Sequence, residues 1–344
     1  MRKASLPILS GLVILLLSIP GCNRQPAPRE TVAIEPLQLR MFAPLPEVMP
    51  ARDGALTEER IVLGRMLYYE TRLSKDKNIS CNSCHNLATY GVDGEPTSGG
   101  HKGQRGDRNS PTVYNAAGHI AQFWDGRAPD VEEQAKGPVM NPVEMAMPSE
   151  DFVVATLKSI PGYVTAFKAA FPGQKDPVTF DNMGIAIGAF ERKLITPARW
   201  DKFLKGDQAA LTDDEKAGFK VFTSAGCQSC HSGALVGGAL YQKLGIMRPY
   251  PDATDPGRFK VTKSESDRMM FKVPSLRNIA KTAPYFHNGK VATLEQAINQ
   301  MNEYQLGNKL TDGEVKLVVA WLNSLTGEIP VDYIKPPVLP GATD

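Results

Sequence analysis

The chain has 344 residues, which is enough for two domains that each bury a core of their own. Apolar residues make up 42% of the sequence, an ordinary share for a globular protein. Lysine and arginine number 39 against 37 aspartate and glutamate, so the formal net charge is only +2. This balance excludes a strongly basic nucleic-acid-binding protein.

The amino-terminal sequence MRKASLPILSGLVILLLSIPGC has two early basic residues, an apolar run and small residues before a cysteine. This order is typical of a secretory signal peptide, predicted over 1–21, and its proline and glycine breaks argue against a membrane span. LSIPGC resembles a bacterial lipobox, in which Cys22 is lipidated; a buried cysteine after a failed signal is the alternative. Residues 22–45 are then predicted to be a proline-rich tether. We expect a periplasmic protein that its lipid anchors to a membrane.

The first Cys-x-x-Cys-His motif lies in residues 79–87, ISCNSCHNL. Two thiols one helical turn apart can each form a thioether with a haem vinyl group, and the adjacent histidine then binds the iron. The sequence therefore predicts a covalently attached haem on Cys81, Cys84 and His85. A helix is predicted ahead of the motif, with these apolar residues at helical spacing: Val62, Leu63, Met66 and Leu67.

A second motif, AGCQSCHSG, occupies residues 225–233 and predicts a second haem on Cys227, Cys230 and His231. A zinc site made of the two cysteine pairs is one alternative, but the pairs lie too far apart in sequence for a zinc ribbon, and zinc does not require a histidine after each pair. A thioredoxin-like redox pair is another, and it expects a βαβ context that the sequence lacks. With Cys22 assigned to the lipobox, no cysteine remains for a disulfide.

The likeness between the two halves of the chain extends beyond the haem motifs. The matching segments are NSPTVYNAA (109–117) with KVPSLRNIA (272–280), and QFWDGRAPDVEEQA (122–135) with YFHNGKVATLEQA (285–297). Trp124 in the first half falls opposite His287 in the second. Such a repeat indicates a duplicated single-haem domain. We predict one haem domain over 46–200 and another over 201–328.

The rest of the pattern is helical and strand signals are few, so the predicted fold class is mainly α. Capping boxes, in which threonine is followed three residues later by Glu or Gln, mark helix starts at Thr212, Thr293 and Thr311. The first of these helices presents Phe219 and Phe222 on an apolar face. The last, GEVKLVVAWLNSL, is an apolar closing helix. The tail over 329–344 is rich in proline and is predicted to pack on the surface.

The sixth ligand of each iron decides between electron transfer and catalysis. Besides the motif histidines, the chain contains His101, His119 and His287, and each could equally be an ordinary surface or core histidine. The methionines considered as ligands downstream of His231 are Met247, Met269, Met270 and Met301. The last of these continues an apolar stripe and precedes the closing helix. This position suits a haem ligand, although a core methionine has the same pattern.

From about residue 40 to its end the sequence resembles the bacterial dihaem cytochrome c peroxidases. The resemblance is carried by the two haem motifs together with GGHKGQRGDRNSPTVYN, FWDGRA, EEQAKGPVMNPVEM, VPSLRNIAKTAPYFHNG and QLG. It implies two c-type cytochrome domains, an active site in the first, a calcium ion between them, and a homodimer.

Carried over by position, the resemblance also implies roles for single residues. The iron ligands would be His85 and His101 for the first haem, the latter in the resting oxidised form, and His231 and Met301 for the second. Trp124 would lie on the electron route between the haems. Calcium would take the side-chain oxygen of Asn109 and the carbonyl oxygens of Thr282 and Pro284, since a hard cation prefers oxygen ligands.

The activity implied is the reduction of hydrogen peroxide to water with electrons from a small periplasmic cytochrome c or a cupredoxin. Reduction of the second haem would let His101 leave the first iron, because its loop, TSGGHKGQRGD, is polar and rich in glycine. Glu144 would move the proton between the peroxide oxygens and Gln134 would orient the peroxide. For Glu144, a solvated carboxylate at a helix end is the alternative.

Two other functions fit the same scaffold. One is a maturation enzyme that oxidises tryptophans of a partner protein, in which a tyrosine replaces the distal methionine; Met301 and a mobile His101 argue against it. The other is a dihaem electron carrier without enzymatic activity, which would keep both irons six-coordinate. Glu144 and Gln134 are the sequence features against the carrier.

Overall fold

The computed structural model describes Met1 and residues 32–51 and 56–341. Residues 2–21 of the predicted signal peptide, Cys22 and the first part of the predicted tether lie outside these residues. From Val32 onward the chain clusters into one unit, and its secondary structure is mainly helical, as predicted. In this described part, no helix is both long enough and apolar enough to cross a bilayer.

The α-helices of the described part are α1 (Pro36–Leu39), α2 (Glu58–Tyr68), α3 (Cys81–Cys84), α4 (Val131–Met140), α5 (Glu150–Lys158), α6 (Pro161–Ala170), α7 (Phe180–Glu191), α8 (Arg199–Leu204), α9 (Asp213–Ser224), α10 (Phe259–Thr262), α11 (Leu294–Gln300) and α12 (Asp312–Ser324). A π-helical turn, Met301–Leu306, continues α11. Two short strands, β1 (Tyr241–Lys243) and β2 (Met270–Lys272), pair antiparallel.

The first core forms where α2 crosses α7. Gly64 makes the close approach possible, because a Cβ at this position would overlap the carbonyl oxygen of Ala186. The side chain of Thr57 caps the amino end of α2. Leu63 and Leu67 are fully buried as predicted, whereas Val62 is exposed, so the predicted apolar face was wrong at that position. The buried face of α2 leads the chain directly towards the first haem motif.

The second core repeats this arrangement with α9 and α12. Gly218 has the same role here as Gly64 in the first core, because a Cβ at Gly218 would overlap the carbonyl oxygen of Leu317. The capping box at Thr212 is present, and Phe219 and Phe222 are buried as predicted. Both phenylalanines pack against the Trp321 ring, with centroid distances of 5.5 and 4.4 Å.

The duplication is visible where the two halves meet. Asn115 and Asn278 are equivalent in the repeat, both are fully buried, and both adopt left-handed backbone angles, with φ of 62° and 61°. Their side-chain amides donate hydrogen bonds to the same oxygen, Oγ1 of Thr196, at 2.8 and 2.9 Å. Trp124 and His287, opposite each other in the repeat, come within 6.4 Å between ring centroids. The segments that follow the two haem motifs therefore meet at Thr196, on the boundary between the halves.

The carboxyl-terminal tail returns to the first core. The ring of Tyr333 stacks on Phe190 at 5.0 Å between centroids, and its hydroxyl donates to the Phe190 carbonyl at 2.8 Å. The hydroxyl of Tyr69 donates to the carbonyl of Ile334 at 2.5 Å. These contacts place the tail against the first half of the molecule.

A buried ion pair, Asp201 with Arg277, connects α8 to the segment after β2. Both side chains are at most 3% exposed, and two hydrogen bonds of 2.7 and 2.9 Å join them. We expect Asp201→Ala to lower the free energy of unfolding by about 3–5 kcal/mol, because it leaves a guanidinium buried without a counter-charge. Chemical denaturation of the haem-loaded protein, followed by far-ultraviolet circular dichroism, measures the change.

The exposed pair Lys335–Asp332 supplies the matched control, since its two side chains are 71% and 89% exposed. Asp332→Ala should leave the denaturation midpoint unchanged because water already solvates both charges. Equal effects of the two substitutions would contradict a special role for the buried pair.

Candidate haem sites and peroxide cavity

The first Cys-x-x-Cys-His motif lies on the wall of a cavity of about 620 Å³. Cys81 and Cys84 stand one turn apart at the two ends of α3, and His85 follows as the residue that ends the helix. The hydroxyl of Tyr68 holds this end by donating to the His85 carbonyl at 2.7 Å. All three motif side chains line the cavity.

The second motif lies on the wall of another cavity, of about 250 Å³. Cys227 begins a short 3₁₀ turn, Cys230 ends it, and His231 follows. Met301 lines the same cavity and is the first residue of the π-helical turn. Of the four methionines considered from the sequence, only Met301 is among the residues that line this cavity.

The two motif histidines have the properties of haem ligands. Burial lowers the pKa of His85, and it lowers the pKa of His231 to about 4, so both rings are neutral at physiological pH. Among the described residues, Nδ1 of each ring is buried and has no hydrogen-bond partner. A neutral imidazole is what iron requires.

None of the four motif cysteines forms a disulfide in the part of the chain that the structure describes. Burial raises the pKa of Cys84 and that of Cys227 to about 11, so these two remain neutral. The pairs occupy separate cavities, and no group of three or more metal-binding side chains occurs in the described residues. The zinc alternative is therefore wrong, and paired thiols with a neutral histidine on a cavity wall fit a covalently attached haem in both places.

Glu144 and Gln134 both line the first cavity, as the peroxidase resemblance implies. Burial raises the pKa of Glu144, while Arg127 and a hydrogen bond from Asn141 lower it. The residue is half-buried and lines the cavity, which favours the sheltered carboxyl over a solvated helix end. Arg127 lines the cavity as well, and its guanidinium lies 3.4 Å from the centroid of the Phe123 ring.

Trp124 lines both cavities, as do its neighbour Phe123 and the segment 110–112. The indole Nε1 donates to the carbonyl of Asn109 at 2.9 Å, which fixes the ring. Trp124, Phe123 and the segment 110–112 therefore form the wall between the two candidate haem sites.

His101 is not among the residues that line the first cavity. Its Nδ1 lies 3.1 Å from a carboxylate oxygen of Asp76, and its backbone N–H donates to the carbonyls of Val143 and Glu144 at 3.0 and 2.8 Å. The structure thus holds the His101 loop against the segment that carries Glu144. Ligation of the first iron by His101 stays a prediction for the resting oxidised form.

The predicted calcium ligands lie near the boundary between the halves. The backbone N–H of Asn109 donates to the His287 carbonyl at 2.8 Å, and its side-chain amide donates to the Glu95 carbonyl at 2.9 Å, which leaves its side-chain oxygen as an acceptor. Thr282 and Pro284 line the second cavity. Calcium binding by these three residues stays a prediction.

Several charged residues around the cavities were missed from the sequence. Arg108 lines the first cavity and bonds Asp255 at 2.6 and 2.9 Å across 147 residues of chain. Glu191 lines it too, and burial raises its pKa to about 8. Lys272 lines the second cavity. Arg127, Arg108 and Lys272 fall within segments quoted above for the resemblance or the repeat, but their contacts join distant parts of the chain and could not be predicted from those segments.

Comparison with known proteins gives consistent results. The family model described as di-haem cytochrome c peroxidase matches residues 58–209, and the cytochrome c model matches 215–326. The cytochrome c551 peroxidase of Pseudomonas aeruginosa is 47% identical over 88% of this chain and 89% of its own length. That of Nitrosomonas europaea is 49% identical over 81% of this chain and 82% of its own. A solved MauG-like protein associated with microbial copper homeostasis superposes with a TM-score of 0.76, 29% identity, and coverage of 85% of this chain and 97% of the other.

Proposed function

The chain belongs to the di-haem cytochrome c peroxidase family, and we propose that it reduces hydrogen peroxide in the cavity that Glu144 and Gln134 share with the first haem motif. It is a haem enzyme with two c-type haems, and its substrates are hydrogen peroxide and a cytochrome electron donor. The observation that carries the site assignment is that a sheltered carboxyl, Glu144, lines the same cavity as the first haem motif, Cys81, Cys84 and His85.

The haems, when bound, supply the irons that take up electrons and break the peroxide O–O bond. Glu144 accepts the proton of one peroxide oxygen and returns it to the other, so that water can leave. Its raised pKa brings proton uptake and release closer to neutral pH. Gln134 offers an amide to hold the peroxide, and Arg127 adds a positive charge that favours the ionised carboxylate.

Trp124 is proposed as the electron route between the haems. Its place on both cavity walls and its fixed indole nitrogen support this role. The donor would be a small cytochrome c or a cupredoxin. Ile246 and Met247 are exposed apolar side chains beside Leu244, which lines the second cavity, and they offer a docking surface there.

Reductive activation is proposed to act through the His101 loop. The bonds from the His101 backbone to Val143 and Glu144 tie the loop to the catalytic segment. Drawing His101 onto the first iron would have to break its contact with Asp76 and these backbone bonds. One movement of the His101 loop would then both free the sixth position of the first iron and bring Glu144 into place.

The test compares peroxide turnover, with reduced cytochrome c as donor, in fully oxidised and half-reduced protein. We expect only the half-reduced enzyme to turn over, together with a new high-spin signal from the first haem. His101→Ala is the matched variant and should be active without prior reduction. Equal activity of the wild type in both states would contradict reductive activation. Absence of turnover in every state would contradict the peroxidase function.

The remaining features are proposed on the family resemblance. Calcium would bind Asn109, Thr282 and Pro284, with the free side-chain oxygen of Asn109 in support. A homodimer and a periplasmic location, with a lipid on Cys22, complete the proposal. The tryptophan-oxidising alternative is disfavoured because a methionine, Met301, lines the second cavity at the position that the resemblance gives to the distal ligand.

A further inference from the structure

Lys272 is a buried cation in the wall of the second cavity. Its side chain stands at the end of β2, only 6% of the residue is exposed, and its backbone N–H donates to the Trp124 carbonyl at 2.8 Å. No carboxylate of the described residues forms an ion pair with it, and burial alone lowers its pKa to about 8. A buried ammonium without a counter-charge is costly, so this position calls for an anion.

His119 lies beside it and has an unused donor. Nδ1 of His119 is 3.0 Å from Nζ of Lys272 and accepts its hydrogen bond, because an ammonium has no lone pair to offer. The pKa of His119 lies well below its usual range, owing to burial and to the charge of Lys272, so the ring is neutral and its proton is on Nε2. Nε2 is buried and has no partner in the described residues. A Cβ on Gly238 would overlap the ring, which fixes its orientation.

We propose that Lys272 and His119 form a carboxylate-binding site that holds the propionate groups of the haem attached to Cys227 and Cys230. Both side chains line that haem's cavity, and together they present ammonium and imidazole N–H donors. The propionates are the anionic groups that a haem brings into such a cavity. The inference rests on the second haem of the proposed function and is independent of the peroxide chemistry.

The site joins the two halves of the molecule. His119 belongs to the first half and Lys272 to the second, and the backbone of Lys272 is bonded to Trp124. A positive charge beside the second haem disfavours the extra positive charge of the ferric iron. Lys272 is therefore a positioning residue that orients the haem and raises its reduction potential.

The experiment is a spectroelectrochemical titration of both haems in the holoenzyme. In Lys272→Met we expect the ratio of reduced to oxidised second haem, at a fixed applied potential, to fall by about tenfold, the effect of one charge interaction worth one pKa unit. Lys272→Arg should keep the wild-type ratio because it keeps the charge. Lys243→Met is the matched control, since it removes an exposed lysine from the partner strand β1 and should change nothing.

A second variant covers loss of folding in Lys272→Met. His119→Phe replaces the imidazole by an aromatic ring without nitrogens, and it should lower the ratio of reduced to oxidised second haem by a smaller factor. Unchanged ratios in the variants that retain both haems would overturn the proposal, as would a shift confined to the first haem. Absence of thioether-linked haem from the wild type would instead overturn the function on which the proposal rests.

Discussion

Glu144→Gln should lower kcat for peroxide reduction by about 10²–10⁴-fold, the usual contribution of a positioned acid–base group. Glutamine keeps the size and polarity of the side chain but cannot carry the proton between the two oxygens. Stopped-flow reduction of peroxide by half-reduced enzyme measures the loss, with haem content checked by absorption. Glu150→Gln is the matched control, because Glu150 is exposed and does not line the first cavity.

The pH profile distinguishes acid–base catalysis from a structural effect. Burial raises the pKa of Glu144, and the carboxylate form must be present to accept the first proton. The acidic limb of kcat/KM should therefore lie at higher pH than for an ordinary glutamate and vanish in Glu144→Gln. Arg127→Leu should move this limb to still higher pH, because Arg127 lowers the pKa of Glu144 in the wild type. A wild-type limb that persists unchanged in Glu144→Gln would show that another group titrates.

The sequence predicted the parts of this site that depend on local spacing. The helical turn that spaces Cys81 from Cys84 and the capping box at Thr212 are patterns of a few residues, and each appears in the structure as expected. The repeat likewise predicted that Trp124 and His287 occupy equivalent places. Local pattern could not decide which face of α2 is buried at Val62, because that depends on how α2 crosses α7.

Contacts between distant segments leave no local pattern in the sequence from which they could be predicted. Lys272 and His119 are 153 residues apart, and neither lies in a motif that would pair them. The contact of His101 with Asp76 was missed for a different reason. A sequence gives residues but not the conformation of a loop, so the resemblance supplied the iron-ligating role, which stays a prediction, and the structure supplied the contact with Asp76.

The position of Met301 predicts a second large effect. Met301→His should lower the potential of the second haem by roughly 0.2 V or more, within the range of about 0.8 V that axial ligands span. The thioether is neutral and favours ferrous iron, whereas imidazole is a better donor to ferric iron. With one electron transferred, roughly 0.2 V corresponds to more than about 10³ in the equilibrium constant for reduction. Electron entry from a cytochrome donor should then fail.

Spectroscopy separates this prediction from a general loss of stability. The weak charge-transfer band of methionine-ligated ferric haem should disappear in Met301→His and persist in Met247→Leu, since Met247 is exposed and does not line the second cavity. Peroxide reactivity of the first haem should remain once that haem is brought chemically to its active state, because Glu144 lies in the other cavity. If the band and the potential survived in Met301→His, a residue other than Met301 would ligate the second iron, and the assignment of Met301 as its sixth ligand would be wrong.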